Sequence, residues 1–207
     1  MREPFSYRSD PAVPSFSDDR PIIVRMADTT PLYKRLLGDS WWALPNPVRA
    51  MHDLDGDMFA EGRAHVERGK GLMAQLVAAL FGFPKEGDDV PVKVTFQLRG
   101  DKEIWRREFN SRVMQSEQEE GKGRFGRLLC ERFGPFAFGL ALVLDGDRMR
   151  LVVRRWTVFG IPMPRSWAPA GEAYEHGADN RFNFYVEIAL PLIGMVVRYR
   201  GFLIPST

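Results

Sequence analysis

The second half of the chain contains three stretches in which apolar and polar residues alternate on both sides of a tight turn, the pattern of β-hairpins. The turns lie at Gly100-Asp101, Asp145-Gly146 and Pro191–Gly194. Asp-Gly between two alternating runs is a strong short-range signal for a hairpin. Because the chain alternates in this way almost everywhere beyond Val90, it is constrained to a largely antiparallel β-structure.

The first hairpin predicts charged side chains on an apolar face. Pairing across Gly100-Asp101 puts Glu103 and Arg107 among six apolar residues: Val92, Val94, Phe96, Leu98, Trp105 and Phe109. A charge left alone in a core costs several kcal/mol, so Arg107 must meet a carboxylate, reach water or line a cavity that takes a ligand. Glu103 lies about 13 Å away along the strand, too far to be its partner.

Charged residues also fall on apolar faces elsewhere in the β-region. In the second hairpin Arg155 ends an apolar row, and in the third Glu187 is expected opposite Arg198. A predicted strand around residues 125–132 carries Glu131 on its apolar face. Opposite charges on facing strands stabilise a sheet, so the expected pairing of Glu187 with Arg198 accounts for the charges in the third hairpin. The charges on the other apolar faces have no such predicted partner.

Three interpretations of these charges stay open at the level of sequence. The charges form an internal salt-bridge network or reach solvent at strand ends, or their arginines meet the polar, anionic head of an amphipathic ligand in a cavity, or a carboxylate such as Glu131 acts in acid–base catalysis. In the second interpretation the aromatic residues form the cavity walls. The candidate ligand-binding residues are Arg107, Arg155, Trp105, Phe96, Phe138, Glu131 and Glu103.

The pattern along the chain predicts one domain preceded by an arm. Residues 1–24 are rich in Pro, Ser and Asp without a sustained period, so we expect a flexible N-terminal arm, with residues 25–207 as a single domain. Short helices are predicted near the N-terminus, and Gly71–Phe81 is predicted as a buried helix, with Leu72, Leu76 and Leu80 in register, that caps the opening. The fold class is α+β, mainly β: a curved antiparallel sheet or barrel of about eight or nine strands.

Composition argues against several classes of protein. The net charge is only +2 and the basic residues are scattered, so no nucleic-acid partner is expected. Cys130 is the single cysteine, which excludes an internal disulfide and fits a reducing compartment. No stretch is long and apolar enough to span a bilayer, and the first residues lack the layout of a signal peptide. We therefore expect a cytoplasmic protein.

Local motifs give no sign of a cofactor, a metal or a catalytic nucleophile. His52, His65 and His176 lack the spacing of metal ligands. Gly69-Lys70-Gly71 precedes the best helix but lacks the Gly-Lys-Ser/Thr arrangement of a phosphate-binding loop. No serine lies in a Gly-x-Ser-x-Gly turn. We expect no cofactor and no metal, and we name no catalytic residue.

A set of short motifs runs in order from residue 32 to 204, and together they are more specific than any one of them. They include Leu32-Tyr33-x-x-Leu36-Leu37-Gly38, Trp42-x-Leu44-Pro45, Glu103-x-Trp105-x-Arg107-x-Phe109, Glu131-Arg132-Phe133-Gly134-Pro135, Gly160-Ile161-Pro162-x-Pro164 and Tyr199-Arg200-Gly201. In the order and spacing of these motifs the chain resembles a bacterial family known as domain of unknown function 4166. Domains of this family often follow oxidoreductase-like domains of the saccharopine dehydrogenase type, so the resemblance implies an accessory or binding role and supplies no catalytic residues.

The sequence therefore predicts a binding protein more than an enzyme. Its β-enclosed interior is expected to take a hydrophobic or amphipathic small molecule. The alternatives are a protein-interaction module for an oxidoreductase, with an exposed apolar patch around Gly160–Trp167, and an enzyme that uses a carboxylate in the cavity.

Overall fold

A computed structural model describes residues 30–206 of the chain. The predicted flexible arm at residues 1–24 lies outside this range. The described residues form three short helices, α1 (Leu32–Leu37), α2 (Asn46–His52) and α3 (Leu72–Leu80), together with 3-10 segments at Gly38–Ala43, Gly123–Phe125 and Arg165–Trp167. No helix in this part of the chain is long and apolar enough to cross a membrane.

Antiparallel strands make up most of the described chain. They are β1 (Met58–Arg68), β2 (Gly87–Arg99), β3 (Lys102–Phe109), β4 (Arg112–Glu120), β5 (Leu129–Phe133), β6 (Phe136–Asp145), β7 (Arg148–Val158), β8 (Ile161–Pro162), β9 (Ala173–Ala178), β10 (Arg181–Leu190) and β11 (Gly194–Ser206). Ten of them close into a barrel in the order β6-β5-β4-β3-β2-β1-β11-β10-β9-β7, because β7 also pairs with β6. The short β8 pairs only with β7. The mainly β fold with short helices is confirmed, and the expected eight or nine strands are slightly too few.

The hairpin registers predicted from alternation are largely confirmed. Arg107 pairs with Val94 and Glu103 with Leu98, which puts both charges on the inward-facing row of the first hairpin. In the third hairpin Glu187 faces Arg198, and their side chains form an ion pair of 2.7 Å. Register follows the apolar pattern here because a slip by one residue would turn every apolar side chain outward.

The barrel is closed at one end by the N-terminal helices, and we call this the closed end. Tyr33 of α1 and Val48 and Met51 of α2 have no exposed surface. The helix α2 lies close to β9, since a Cβ at Gly177 would fall 3.2 Å from the Cδ of Pro47 in its first turn. Burial of these apolar side chains therefore seals the barrel at the end where β9 and β10 meet.

The opposite end, which we call the open end, carries α3, the segment 159–172 and the turn 191–193. The helix α3 packs on β11 through Ala74 and Ala78, while Leu72, Leu76 and Leu80 are exposed. The prediction that this leucine stripe is buried is therefore wrong. The chain approaches β11 too closely for large side chains between them, since a Cβ at Gly69 would fall 2.0 Å from the carbonyl oxygen of Met195 and 2.8 Å from the Cβ of Ala74.

The barrel wall is weakest between β7 and β9. Only Arg148–Arg150 of β7 pairs with β9, and beyond Arg150 the two strands diverge toward the open end. The segment before β9 follows β10 instead, through paired hydrogen bonds of 2.8 Å between Ala170 and Ala189. The interior of the barrel is therefore reached most easily along this seam and at the open end.

Candidate functional site

The barrel encloses a cavity of about 580 Å³. Its walls are mostly apolar and come from α3 and the residues just after it, from β2 to β7 and from β9 to β11. They include Phe81, Phe136, Phe138, Trp156, Phe182 and Phe184. The rings of Phe138 and Trp156 are parallel within 4° at a centroid separation of 6.3 Å. The indole N–H of Trp156 donates to the carbonyl oxygen of Pro164 over 2.9 Å, which fixes this ring as part of the wall.

A polar cluster lies part-way down the cavity, where β3, β4 and β5 run side by side. Arg107 donates to Glu131 over 3.1 Å and to the hydroxyl of Ser116 over 2.7 Å. The same carboxylate oxygen, Oε1 of Glu131, also accepts from Ser116 over 2.7 Å and from the amide of Gln118 over 3.0 Å. The Arg107 guanidinium lies 4.8 Å from the centre of the Trp105 ring. The cluster is therefore a hydrogen-bonded patch of balanced charge within an apolar cavity.

Two further polar groups connect this cluster to the closed end. The hydroxyl of Tyr33 donates to Gln118 over 3.0 Å. Glu175 lines the cavity, and its Oε2 lies 2.6 Å from Nε2 of His52, a histidine with no exposed surface. The rings of Tyr33 and His52 stack at 3.7 Å. Burial, with a further contribution from the charge of Glu175, raises the pKa of Tyr33 well above its ordinary value.

Tyr199 brings a second buried hydroxyl to the cavity. Burial raises its pKa to about 12, with Arg107 opposing the shift and Glu131 adding to it. Tyr199 is therefore a neutral hydrogen-bonding group at every ordinary pH. The polar part of the cavity thus offers hydroxyl, amide, guanidinium and carboxylate groups within one region.

Four of the residues proposed from the sequence line the cavity. They are Arg107, Trp105, Glu131 and Phe138. Glu131 supplies the counter-charge that Arg107 was predicted to need. The sequence indicated that both were on apolar faces, but only the closed sheet brings β3 and β5 close enough for the pair to form.

Phe96 and Glu103 are buried but do not line the cavity, so their expected position in it is wrong. Phe96 packs edge-on against Trp105, with ring centroids 4.5 Å apart. Glu103 accepts a hydrogen bond of 2.9 Å from the indole of Trp105. Burial raises the pKa of Glu103, and this hydrogen bond opposes the rise. Both residues lie behind Trp105, which separates them from the cavity.

Arg155 lies on the outside of the barrel, so its predicted inward position is wrong. A bulge causes this, because Gly139 pairs with Arg155 whereas Leu140 pairs with Val153, which leaves Arg154 as an extra residue. The extra residue turns Trp156 inward and Arg155 outward, where its guanidinium donates to the carbonyl oxygen of Arg124. A single inserted residue reverses the side-chain direction in the remainder of the strand.

Residues contributed by the N-terminal helices, by β4 and by β9 were not predicted from the sequence: Tyr33, His52, Ser116, Gln118 and Glu175. The available signal for His52 was its spacing, since it follows the buried Val48 by four residues and shares that face of α2. Among the described residues, no group of three or more His, Cys, Asp and Glu side chains is arranged to hold a metal ion.

The chain matches a known protein family over more than half of its length. A family model described as domain of unknown function (DUF4166) matches residues 44–203. No curated protein and no solved structure matches the chain. The matched range includes the whole barrel wall except the last residues of β11.

Proposed function

This chain belongs to the DUF4166 family, a domain of unknown function, and within that family we propose that it is a binding protein that encloses the apolar part of an amphipathic small molecule in its barrel. The observation that carries the proposal is the cavity of about 580 Å³, whose walls are mostly apolar and which contains the polar cluster around Arg107 and Glu131. This volume lies within the range of about 300–1,000 Å³ that is usual for small-molecule sites.

The character of the walls explains why a ligand would replace water. Water inside the cavity finds side-chain hydrogen-bond partners at the polar cluster and at Arg150, Glu172 and Glu187, whereas along the aromatic wall formed by Phe136, Phe138 and Trp156 it finds few. An apolar group that displaces poorly hydrogen-bonded water gains free energy. We therefore assign the apolar body of the ligand to this wall.

The polar cluster favours a ligand with a neutral, hydrogen-bonding head group. The sequence suggested an anionic head group instead, because it predicted two inward-facing arginines. Arg155 is outside, and Arg107 is already paired with Glu131. A second carboxylate, Glu175, lines the same cavity. An anion placed here would meet two carboxylates and one arginine, whereas a hydroxyl or carbonyl group can exchange hydrogen bonds with Arg107, Glu131 or Tyr199 without burying a new charge.

Ligand binding is tested with the purified full chain. Native mass spectrometry followed by solvent extraction reports any small molecule that is carried from the cell. Titration with the neutral fluorescent probe N-phenyl-1-naphthylamine then measures the cavity directly. We expect an increase in fluorescence that saturates as the probe fills the sites. No extracted molecule and no saturable probe binding would contradict the proposal.

A matched pair of substitutions locates the binding. Val153→Trp on the cavity wall fills the space and is expected to weaken probe binding at least about tenfold, since the site loses volume and contacts. Val143→Trp is the control on the neighbouring strand, outside the cavity lining, and is expected to leave binding unchanged. Equal effects of the two variants would mean that the probe binds elsewhere.

The two alternative functions have weaker support. An enzyme that uses a carboxylate needs a raised carboxyl pKa within the cleft. Glu103, whose pKa is raised by burial, does not line the cavity. An accessory role beside an oxidoreductase rests on the family resemblance alone, and the exposed residues Phe159, Ile161 and Trp167 are the patch that such a partner would use.

A further inference from the structure

The exposed apolar surface of this protein is concentrated at the open end of the barrel. Of the twelve large apolar side chains that are exposed among the described residues, eight belong to the elements of this end. Leu80 of α3 and Phe159 after β7 are 78% and 80% exposed, and Trp167 is 61% exposed. Single exposed apolar residues are common, but a cluster confined to one end of a molecule indicates a docking surface.

The helix α3 supplies one side of this surface, because its apolar side chains point in two directions. Ala74 and Ala78 pack on β11, and Val77 lines the cavity. The larger side chains, Leu72 and Leu76 among them, face solvent. After the helix, Phe81 reaches across to Phe136 of β6, with ring centroids 5.0 Å apart. The exposed stripe therefore lies beside the mouth of the cavity.

Two apolar stretches of this end, residues 69–85 and 154–171, carry basic residues within them, and the acidic residues Glu86 and Glu172 come directly after these stretches. Residues 69–85 contain Lys70 and Lys85 and no acidic residue. Residues 154–171 contain Arg154, Arg155 and Arg165 and again no acidic residue. All five basic side chains belong to residues that are exposed. Basic residues flanking exposed leucine, phenylalanine and tryptophan are complementary to a surface that is apolar inside and anionic outside.

We propose that the open end docks on the surface of an anionic lipid bilayer. Leu72, Leu76 and Leu80 of α3, with Phe159 and Trp167 on the other side of the mouth, enter the boundary between head groups and acyl chains. The flanking basic residues contact anionic head groups. This arrangement holds the mouth of the cavity against the bilayer, so that an amphipathic molecule passes between bilayer and barrel without crossing water.

Docking depends on the exposed apolar and basic residues around the mouth of the cavity, which we call the rim, and does not require a ligand in the cavity. The docking proposal and the ligand-binding proposal can therefore be contradicted independently of each other. The test is co-sedimentation of the full chain with vesicles of phosphatidylcholine alone and of phosphatidylcholine with phosphatidylglycerol. We expect binding to the anionic vesicles that weakens as salt is added, and much weaker binding to the neutral ones. No binding to anionic vesicles would overturn the proposal.

Variants of the rim establish which face is used. The double substitution Leu76→Gln/Leu80→Gln is expected to weaken vesicle binding by at least about tenfold, and Lys70→Gln/Arg165→Gln is expected to remove most of the preference for anionic vesicles. The control for the first is Phe59→Gln/Ile204→Gln, two exposed apolar residues on the outer wall away from the open end. Vesicle binding that survives both rim variants, or that the control removes equally, would overturn the assignment.

Other occupants of this face give different results. A second copy of the chain would produce a dimer, which Leu76→Gln/Leu80→Gln dissociates in sedimentation experiments, with no vesicle binding. If the natural occupant of this face is a protein partner or the chain's own residues 1–29, the purified full chain is expected to be monomeric and not to bind vesicles. Each of these results contradicts docking on a bilayer. Val153→Trp, which fills the cavity, is expected to retain vesicle binding, whereas the rim variants are expected to retain binding of N-phenyl-1-naphthylamine.

Discussion

The Nε2 atom of His52 lies 2.6 Å from Oε2 of Glu175, although 123 residues separate them in the chain. The pair joins α2 at the closed end to β9 in the barrel wall. Tyr33 of α1 stacks on the histidine ring and donates from its hydroxyl to Gln118 of β4. Polar contacts as well as apolar packing thus attach both N-terminal helices to the barrel. The barrel residues in these contacts, Glu175 and Gln118, line the cavity.

We predict that loss of His52 destabilises the protein more than neutralisation of its partner. His52→Leu leaves the buried Glu175 carboxylate unpaired and is expected to lower the free energy of unfolding by about 3 kcal/mol. Glu175→Gln retains a hydrogen-bonding group and is expected to cost less. Urea unfolding followed by tryptophan fluorescence measures both. Glu172→Gln, an exposed position nearby, serves as the control, and equal stabilities for all three variants would contradict the prediction.

Because Arg107 and Glu131 form an ion pair, we predict that the changes in the free energy of unfolding caused by substituting them are not additive. Arg107→Met leaves the Glu131 carboxylate without its cation and is expected to cost about 3 kcal/mol. Adding Glu131→Gln is expected to restore much of that loss, since no buried charge then remains. The exposed pair Lys93–Glu61 is the control, where the same two changes are expected to cost about 1 kcal/mol or less and to add. Additive losses at Arg107 and Glu131 in urea unfolding would show that the two side chains do not interact.

Glu103 predicts a dependence of stability on pH. Burial raises its pKa above the ordinary value of 4.5, so the folded state holds the proton more tightly than the unfolded chain. Its contribution to stability is therefore full below pH 4.5 and is lost as the pH rises through the folded-state pKa. Glu103→Gln removes this loss, so the variant is expected to gain stability relative to the parent as the pH rises.

Urea unfolding of both proteins at about pH 4 and about pH 8 measures the effect of Glu103→Gln. The stability difference between variant and parent is expected to be larger at the higher pH. Glu61→Gln, on an exposed side chain of β1, is expected to show no such trend. A difference that shrinks with rising pH would mean that Glu103 ionises more easily in the folded state.

The bulge in β7 predicts opposite accessibility for two adjacent positions. Cys130 is the chain's single cysteine and is buried, and burial raises the pKa of its thiol. New cysteines are therefore labelled against a low background. Arg155→Cys is expected to react with a maleimide that carries a polyethylene glycol chain on the order of tenfold faster than Trp156→Cys, because only the first points to solvent. The reverse order would indicate a strand without the bulge.

Alternation along the chain was enough to establish the hairpins and most of their pairing. In the first hairpin, alternation about Gly100-Asp101 puts Arg107 opposite Val94, because the side-chain period of a strand is two and only one register keeps the apolar face together. The same reasoning identifies Glu187 and Arg198 as partners. It also limits the described chain to a mainly β fold, although the closure of the sheet is not a property of any one hairpin.

Contacts between distant segments set the positions that alternation could not. Arg155 is outside because the bulge at Arg154 shifts the pairing of β7 with β6. On the same outer face the ring of Phe125 packs on Gly139, where a Cβ would lie 2.5 Å from the ring. The leucines of α3 are exposed because Gly69 and Ala74 bring the chain against β11. Local periodicity shows which side chains share a face but not which face meets the barrel. That choice results from close packing between segments far apart in the chain.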